Sequence, residues 1–347
     1  MPPRILIVRI GATGDVLHAL PAVSALRQAL PEAHIGWAIE PVWLPLLRCE
    51  SPIESKGNSP LINQIHLVPS RAWRQHPFAV STRRQILNLR QNLRDAHYDL
   101  AVDLQGSLRS AIIARFATWN TAGPAAPREW PSHWFYKLKV PTRSPHVVPQ
   151  AAEILSSATH LQLAPQPVDL PIDPAAEAWV NSLIPNGQST IFLAPTAGWG
   201  AKEWPPERFG ALAQALAQEG HTVLINATTH ANPTAEAVAQ ASAGAAQVVH
   251  STIPQLTSLL RRTALFIGGD TGPLHLAAAL NTPVLALFGP TNPARNGPWI
   301  SPENRQVLRH PSSLQSHKRT PATDPGLLQI TVAEALTAAR SLLRNPQ

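Results

Sequence analysis

Only one cysteine, Cys49, occurs in 347 residues, which excludes an internal disulfide framework and any zinc site built from several cysteines. The chain therefore reads as a protein of a reducing compartment, with Cys49 chemically inert. An apolar run of membrane-spanning length is also missing. The N-terminal run Ile5-Leu6-Ile7-Val8 is cut by Arg9 before it reaches the length of a signal-peptide core. The expectation is a soluble protein that stays inside the cell. Acidic residues are in short supply, 21 Asp+Glu against 28 Lys+Arg, and the net charge is +7. That balance favours acidic partners: nucleotides, phosphorylated sugars, nucleic acid or an anionic membrane surface. No internal repeat of fixed period is present, and the 36 prolines and 18 glycines are scattered as in the stiffened loops of a folded protein.

The length suits two domains, each large enough to bury its own core. Residues 163–185 hold Pro165, Pro167, Pro171, Pro174 and Pro185, a density that fits an interdomain linker. Domains of 1–170 and 171–347 follow, with a C-terminal helix from Thr331 to Leu343 that packs on either of them. In the first, Arg4–Ile10, Ile35–Ile39, Ile65–Val68 and Tyr98–Leu104 read as strands. Helices are expected after Asp15, where Pro21 should break or kink the pattern, and over Ser81–Arg94, Ser107–Ala117 and His146–His160. Residues 123–145, rich in Trp, Pro and basic side chains, read as a loop or lid. In the second domain strand, helix, strand repeats from Thr190 to Phe288, the signature of a parallel sheet covered on both faces.

Three glycine-bearing turns join a strand to a helix: Gly11 to Asp15, Ala197 to Lys202, and Gly268 to His275. Such a turn leaves free backbone N–H groups at a helix N-terminus, where the dipole favours phosphate. Asp270, Thr271 and His275 add side-chain oxygens and an imidazole to the last turn. A plainer reading competes with this one: the glycines permit tight turns, and Asp15 and Asp270 cap helices. If two doubly wound domains turn their strand ends toward each other, a diphosphate held by the second meets a carboxylate of the first. Lys202 would then neutralise charge on a departing diphosphate, and Asp15 would take the proton of an attacking hydroxyl.

The ordered motifs Gly14-Asp15-Val16-Leu17-His18-Ala19-Leu20-Pro21, Asp103-Leu104-Gln105-Gly106, Lys202-Glu203-Trp204-Pro205, Asp270-Thr271-Gly272-Pro273-Leu274-His275 and Phe288-Gly289-Pro290-Thr291-Asn292-Pro293 resemble the lipopolysaccharide core heptosyltransferases of glycosyltransferase family 9. The resemblance covers nearly the whole chain, and its first motif is most like the enzymes adding the first heptose. It implies an α/β fold of GT-B type, two doubly wound Rossmann-like domains facing across a cleft. It also implies an inverting single displacement that moves heptose from ADP-heptose to Kdo on lipid A. In that scheme Asp15 is the general base and Lys202 binds the donor phosphates.

The candidate donor-binding set is Thr13, Gly14, Thr196, Gly198, Asn232, Asp270, Thr271, Gly272 and His275. The candidate acceptor-binding set is Arg71, Arg74, Asp103, Gln105, Arg109 and Arg128, with Arg71 and Arg74 expected in a loop. No cofactor or metal and no nucleic-acid partner is implied. The resemblance fits a monomer, peripheral on the cytoplasmic face of the inner membrane. The chain departs from the family at Ala227-Thr228-Thr229-His230-Ala231-Asn232, where members carry a glycine and an acidic residue near the ribose. Asn232 bonds a hydroxyl more weakly than a carboxylate does. A related transferase for the second heptose or another sugar acceptor is the alternative.

Two other classes compete. A nicotinamide-dependent dehydrogenase would use Gly11-Ala12-Thr13-Gly14 and Glu40, but Leu17 occupies the third glycine position and Asp15 would face the pyrophosphate. A basic protein docking on nucleic acid or an anionic membrane would use the cations from Arg71 to Arg94, but base-stacking aromatics are not interleaved with them and no nucleic-acid module is recognisable.

Overall fold

A computed structural model describes residues 1–48, 60–184, 187–227, 232–316 and 320–344. Cys49 and residues 228–231 lie outside the described residues. The chain divides into two compact units, the first ending at Asp169 and the second running on from Leu170.

The first unit is built on six parallel strands: β1 (Arg4–Val8), β2 (His34–Ile39), β3 (Gln64–Leu67), β4 (Leu100–Asp103), β5 (Thr121–Pro124) and β6 (Leu138–Val140). Their order is β3-β2-β1-β4-β5-β6, with Val8 paired to Ala38 on one side and to Asp103 on the other. The chain thus winds outward from β1 in one direction and then returns to wind from β4 in the other. Strands covered by helices on both faces need continuous apolar runs, and Ile5 to Val8 are all at most 2% exposed.

The second unit repeats this plan with β7 (Thr190–Ala194), β8 (Thr222–Ala227), β9 (Ala246–His250), β10 (Leu265–Gly269), β11 (Val284–Leu287) and β12 (Arg305–Leu308). Their order, β12-β11-β10-β7-β8-β9, is the first sheet's order in its own numbering. Both units are therefore doubly wound, as the sequence implied. Helix Val332–Leu343 lays Ala335, Ala338, Ala339 and Leu342 into the core of this second unit.

Four local expectations are corrected. The first helix runs unbroken from Thr13 to Ala29 with Pro21 inside it. Interior proline costs about 3 kcal/mol, but Val16, Leu17, Leu20, Val23 and Leu26 are buried on this helix, and each contributes about 1.5–3 kcal/mol. Packing wins. The stretch 123–145 is not all loop: it completes β5, holds a short helical turn at Trp130–Phe135 and supplies the edge strand β6, with Tyr136 buried. The presumed linker contains helix Pro174–Leu183, capped by Asp173 through Ala176 N–H at 2.9 Å. Finally, Arg71 and Arg74 sit on a short helix, Ser70–Gln75, and not in a loop.

Candidate active site

In open α/β sheets, ligands bind beyond the C-terminal ends of the strands, where the winding reverses. In the first unit that point lies between β1 and β4. Arg9 follows β1 directly and bridges the two strands' loops: its guanidinium donates to the Leu104 carbonyl, to the Asp15 carbonyl (2.9 Å) and to Asp15 Oδ1 (3.0 Å). Asp15 Oδ2 accepts from the Ala12 N–H at 3.3 Å, so the carboxylate does cap its helix. The Asp15 side chain nevertheless remains 31% exposed, enough to meet a bound hydroxyl. Gly11 takes a φ of +140°, and a Cβ there would collide with the Trp43 ring, so the turn at this point needs glycine. Gln105 buttresses the same turn, its Oε1 accepting from Ile10 N–H (2.8 Å) and Gly11 N–H (3.3 Å).

In the second unit the reversal lies between β7 and β10. Lys202 projects from the loop after β7 and donates to Asp270 Oδ2 at 2.6 Å and to the Asp270 carbonyl at 3.2 Å. The other carboxylate oxygen, Oδ1, meets His275 Nε2 at 3.0 Å. Burial alone would push the Asp270 carboxyl up; the His275 hydrogen bond and charge, followed by those of Lys202, hold it well below the usual carboxylate range. Glycine is required at 269 because a Cβ there would approach the Lys202 carbonyl within 2.8 Å.

Neighbouring residues hold Lys202 in place. Trp204 is 1% exposed and its indole N–H donates to the Ile330 carbonyl at 3.0 Å. Glu203 Oε1 accepts from Ala197 N–H at 2.8 Å, tying down the turn that carries Thr196 and Gly198. Thr271 and Gly272 open helix Gly272–Ala279, whose first-turn N–H groups have no carbonyl partner within the helix. An ammonium, a buried imidazole and a helix N-terminus thus converge beside one carboxylate, an arrangement suited to a phosphorylated ligand.

Residues 86–325 match the sequence profile described as "Glycosyltransferase family 9 (heptosyltransferase)". The chain belongs to glycosyltransferase family 9. It is similar to lipopolysaccharide heptosyltransferase 1 of Pseudomonas aeruginosa, 27% identical over 303 residues, which are 85% of this chain and 81% of that one. Among solved structures it is similar to E. coli heptosyltransferase WaaC with ADP, at a TM-score of 0.78 and 23% identity, covering 98% of this chain and 99% of that one. The same E. coli protein with ADP-2-deoxy-2-fluoro heptose gives a TM-score of 0.74 at 23% identity, covering 96% and 98%. The fold is of GT-B type, and the protein is a glycosyltransferase.

Within this family 9 enzyme some expected ligand-binding residues serve the scaffold. Asp103 is fully buried, and its carboxylate accepts from Gln105 N–H (2.8 Å), Gly106 N–H (3.1 Å), Ser110 Oγ (2.8 Å) and Tyr136 OH (2.6 Å). Burial pushes its carboxyl up from the ordinary value while these four donors oppose the rise. Asp103 orders the loop after β4. Asn232 likewise spends Oδ1 on capping helix Pro233–Ala241, accepting from Ala235 N–H at 3.1 Å. Arg128 is exposed, on a segment fastened to the β4 loop by Glu129 N–H donating to the Gly106 carbonyl at 2.9 Å. Thr13 and Gly14 occupy the first turn of the Thr13–Ala29 helix.

Sequence reasoning missed Arg9 as the partner of Asp15. Its signal was present, a cation set directly after an apolar strand and six residues before the aspartate. Ser70 was missed too, and Glu40 was weighed only as a ribose ligand. Glu40 is 6% exposed and accepts from Ser70 Oγ at 2.6 Å and Arg71 N–H at 3.2 Å, so it is not presented to a nucleotide. Two cavities of about 330 and 430 Å³ lie between β3 and helix Val80–Asp95, both lined by residues that include Ile65, His66 and Asn92, and they hold none of the candidate catalytic or ligand-binding residues. Among the described residues no group of three His, Cys, Asp or Glu side chains is placed to hold a metal ion, and no helix is long and apolar enough to cross a membrane.

Proposed function

We propose that the enzyme transfers L-glycero-D-manno-heptose from ADP-heptose to the Kdo of lipid A in lipopolysaccharide inner-core synthesis, with inversion at the anomeric carbon. The observation that carries the proposal is the Lys202–Asp270–His275 cluster at the N-terminus of helix Gly272–Ala279. An ammonium has three N–H donors, and two of those of Lys202 go to Asp270, leaving one for a diphosphate oxygen. Similarity to lipopolysaccharide heptosyltransferase 1 and to a heptosyltransferase with ADP supports the same donor and acceptor classes.

In this reaction an acceptor hydroxyl attacks the anomeric carbon as the bond from that carbon to the diphosphate oxygen breaks. Asp15 accepts the hydroxyl proton and later releases it to solvent. The diphosphate departs as ADP, its growing charge met by Lys202 and the free N–H groups at the start of the helix. The first unit, with Gln105 supporting the turn beside Asp15 and Arg71, Arg74, Arg109 and Arg128 carrying positive charge, takes the acidic acceptor. Thr13, Gly14, Thr196, Gly198, Thr271 and Gly272 supply donor contacts. The enzyme works as a monomer, peripheral on the cytoplasmic face of the inner membrane where its lipid acceptor lies.

Incubating the protein with ADP-heptose and either Kdo-bearing lipid A or the singly heptosylated product, and weighing the products by mass spectrometry, tests this reading. The expected result is one added heptose on the Kdo-bearing acceptor alone. Addition only to the heptosylated acceptor would overturn the first-heptose reading in favour of the second.

A further inference from the structure

We infer that Glu40 is a positioning residue, acting through the Ser70 hydroxyl to set up Arg71, Arg74 and Arg109 as one binding site for a compact oxyanion. The inference rests on the proposal that the first unit takes an acidic acceptor, and it names the part of that acceptor which the unit grips.

Glu40 directly follows β2 and is 6% exposed. A carboxylate so far from water must be satisfied by donors. Its Oε2 takes the Ser70 hydroxyl proton at 2.6 Å and its Oε1 takes the Arg71 N–H at 3.2 Å. A hydroxyl has one proton to give and two lone pairs. With the proton committed to Glu40, only lone pairs of Ser70 Oγ remain, and one of them receives Arg109 Nη1 at 2.9 Å. Glu40 therefore fixes the polarity of Ser70, and Ser70 fixes Arg109.

The cations gathered in this way are undercompensated. Arg71 and Arg74 lie three residues apart on helix Ser70–Gln75, the helix whose Ser70 holds Arg109; burial, and next the charge of Arg74, lower the Arg109 guanidinium from its usual value, with Glu40 and Glu129 opposing. The Arg71 guanidinium lies over the Trp43 ring, 5.3 Å from its centroid. Among the described residues none of the three arginines forms an ion pair with a carboxylate. Three guanidiniums stand against two carboxylates, the buried Glu40 and the exposed Glu129, and their paired N–H donors match the two oxygens of a carboxylate or phosphate group. The imbalance extends to the whole unit. Residues 1–169 contain 17 of the 28 Lys+Arg and 11 of the 21 Asp+Glu, which places +6 of the net +7 there. Remote capping of helix Ser70–Gln75 accounts for the Arg71 N–H bond of Glu40 but not for the chain from Glu40 through Ser70 to Arg109.

The test uses Ser70→Ala and Glu40→Gln in the full-length protein. Ser70→Ala leaves the Glu40 to Arg71 N–H bond intact, and Glu40→Gln keeps the shape while removing the charge. Steady-state kinetics should show the acceptor KM raised roughly tenfold in each variant, with the donor KM unchanged, and little further rise in the double variant because both act through one chain. A second readout needs no turnover: free Kdo and inorganic phosphate are titrated separately onto parent and variants by NMR. Binding of Kdo that weakens in Ser70→Ala assigns the site to a sugar carboxylate, and the same pattern with phosphate alone assigns it to a lipid A phosphate. Unchanged acceptor KM and unchanged binding of both probes in Ser70→Ala would reduce Glu40 to a helix cap and overturn the inference. If the parent binds Kdo or phosphate through this cluster but transfers no heptose, the proposed reaction fails and the anion site stands.

Discussion

Lys202 reaches Asp270 twice, through the carboxylate at 2.6 Å and through the main-chain carbonyl at 3.2 Å. Both side chains are mostly out of water, the ammonium-bearing one 15% and the carboxylate-bearing one 7% exposed. The pair is thus positioned by the loop after β7 and the turn after β10, and its two members cannot be altered independently.

Removing Lys202 should therefore have two separable effects. Truncating one partner of a buried pair strands the other charge, so Lys202→Met is expected to lower the melting temperature, and Lys202→Met with Asp270→Asn to regain part of the loss. Turnover should fall in both by on the order of 100-fold or more, while ADP affinity changes much less, because the ammonium acts on charge that develops during departure. Calorimetric melting and single-turnover kinetics read the two effects. A double variant that regained activity along with stability would confine Lys202 to the scaffold.

Asp15 both caps its helix and remains accessible, and asparagine separates these roles. Asn caps about as well as Asp, so Asp15→Asn should melt within a few degrees of the parent. Loss of a general base typically costs on the order of 100- to 10,000-fold in rate. Retained turnover in a normally melting variant would leave Asp15 as a cap and the partner of Arg9.

His66 predicts an acid-sensitive fold independent of catalysis. It is 5% exposed, with Nε2 2.7 Å from the Tyr98 hydroxyl. Burial, helped by the nearby His34, lowers its pKa to about 4. The unfolded chain therefore binds more protons than the folded one between about pH 6.5 and the folded value, and stability falls as pH drops through that window. The loss attributable to His66 amounts to at most about 3 kcal/mol. Denaturant melts between pH 7 and 4.5 should show a steeper decline for the parent than for His66→Gln; parallel curves would place the acid sensitivity elsewhere.

The parts of the fold that were legible in the sequence are those whose burial is local and complete. The apolar run Ile5–Val8 and the Leu265–Gly269 strand with its glycine turn read correctly because a strand covered on both faces has no polar option. The edge strand β12, Arg305-Gln306-Val307-Leu308, went unread because an edge exposes one side and its sequence resembles a loop. Strands β5 and β6, of four and three residues, were concealed by the surrounding Trp and Pro in the same way.

At the site, the strand-to-helix turns carrying Asp15 and Asp270 were visible as short motifs. What Asp270 touches was not, because Lys202 lies 68 residues away. The same distance problem hid the chain from Glu40 to Ser70 to Arg109, whose links span 30 and 39 residues. The four internal donors of Asp103 were hidden as well, because the Ser110 and Tyr136 hydroxyls come from elements that only the fold brings to the end of β4.

The most direct test of the account is acceptor-dependent release of ADP from ADP-heptose, measured for the parent, Asp15→Asn and Lys202→Met proteins. The parent should release ADP only when Kdo-bearing lipid A is present, and each variant should be slower by on the order of 100-fold or more. ADP release no faster with acceptor than without it, or variants that keep pace with the parent, would contradict it.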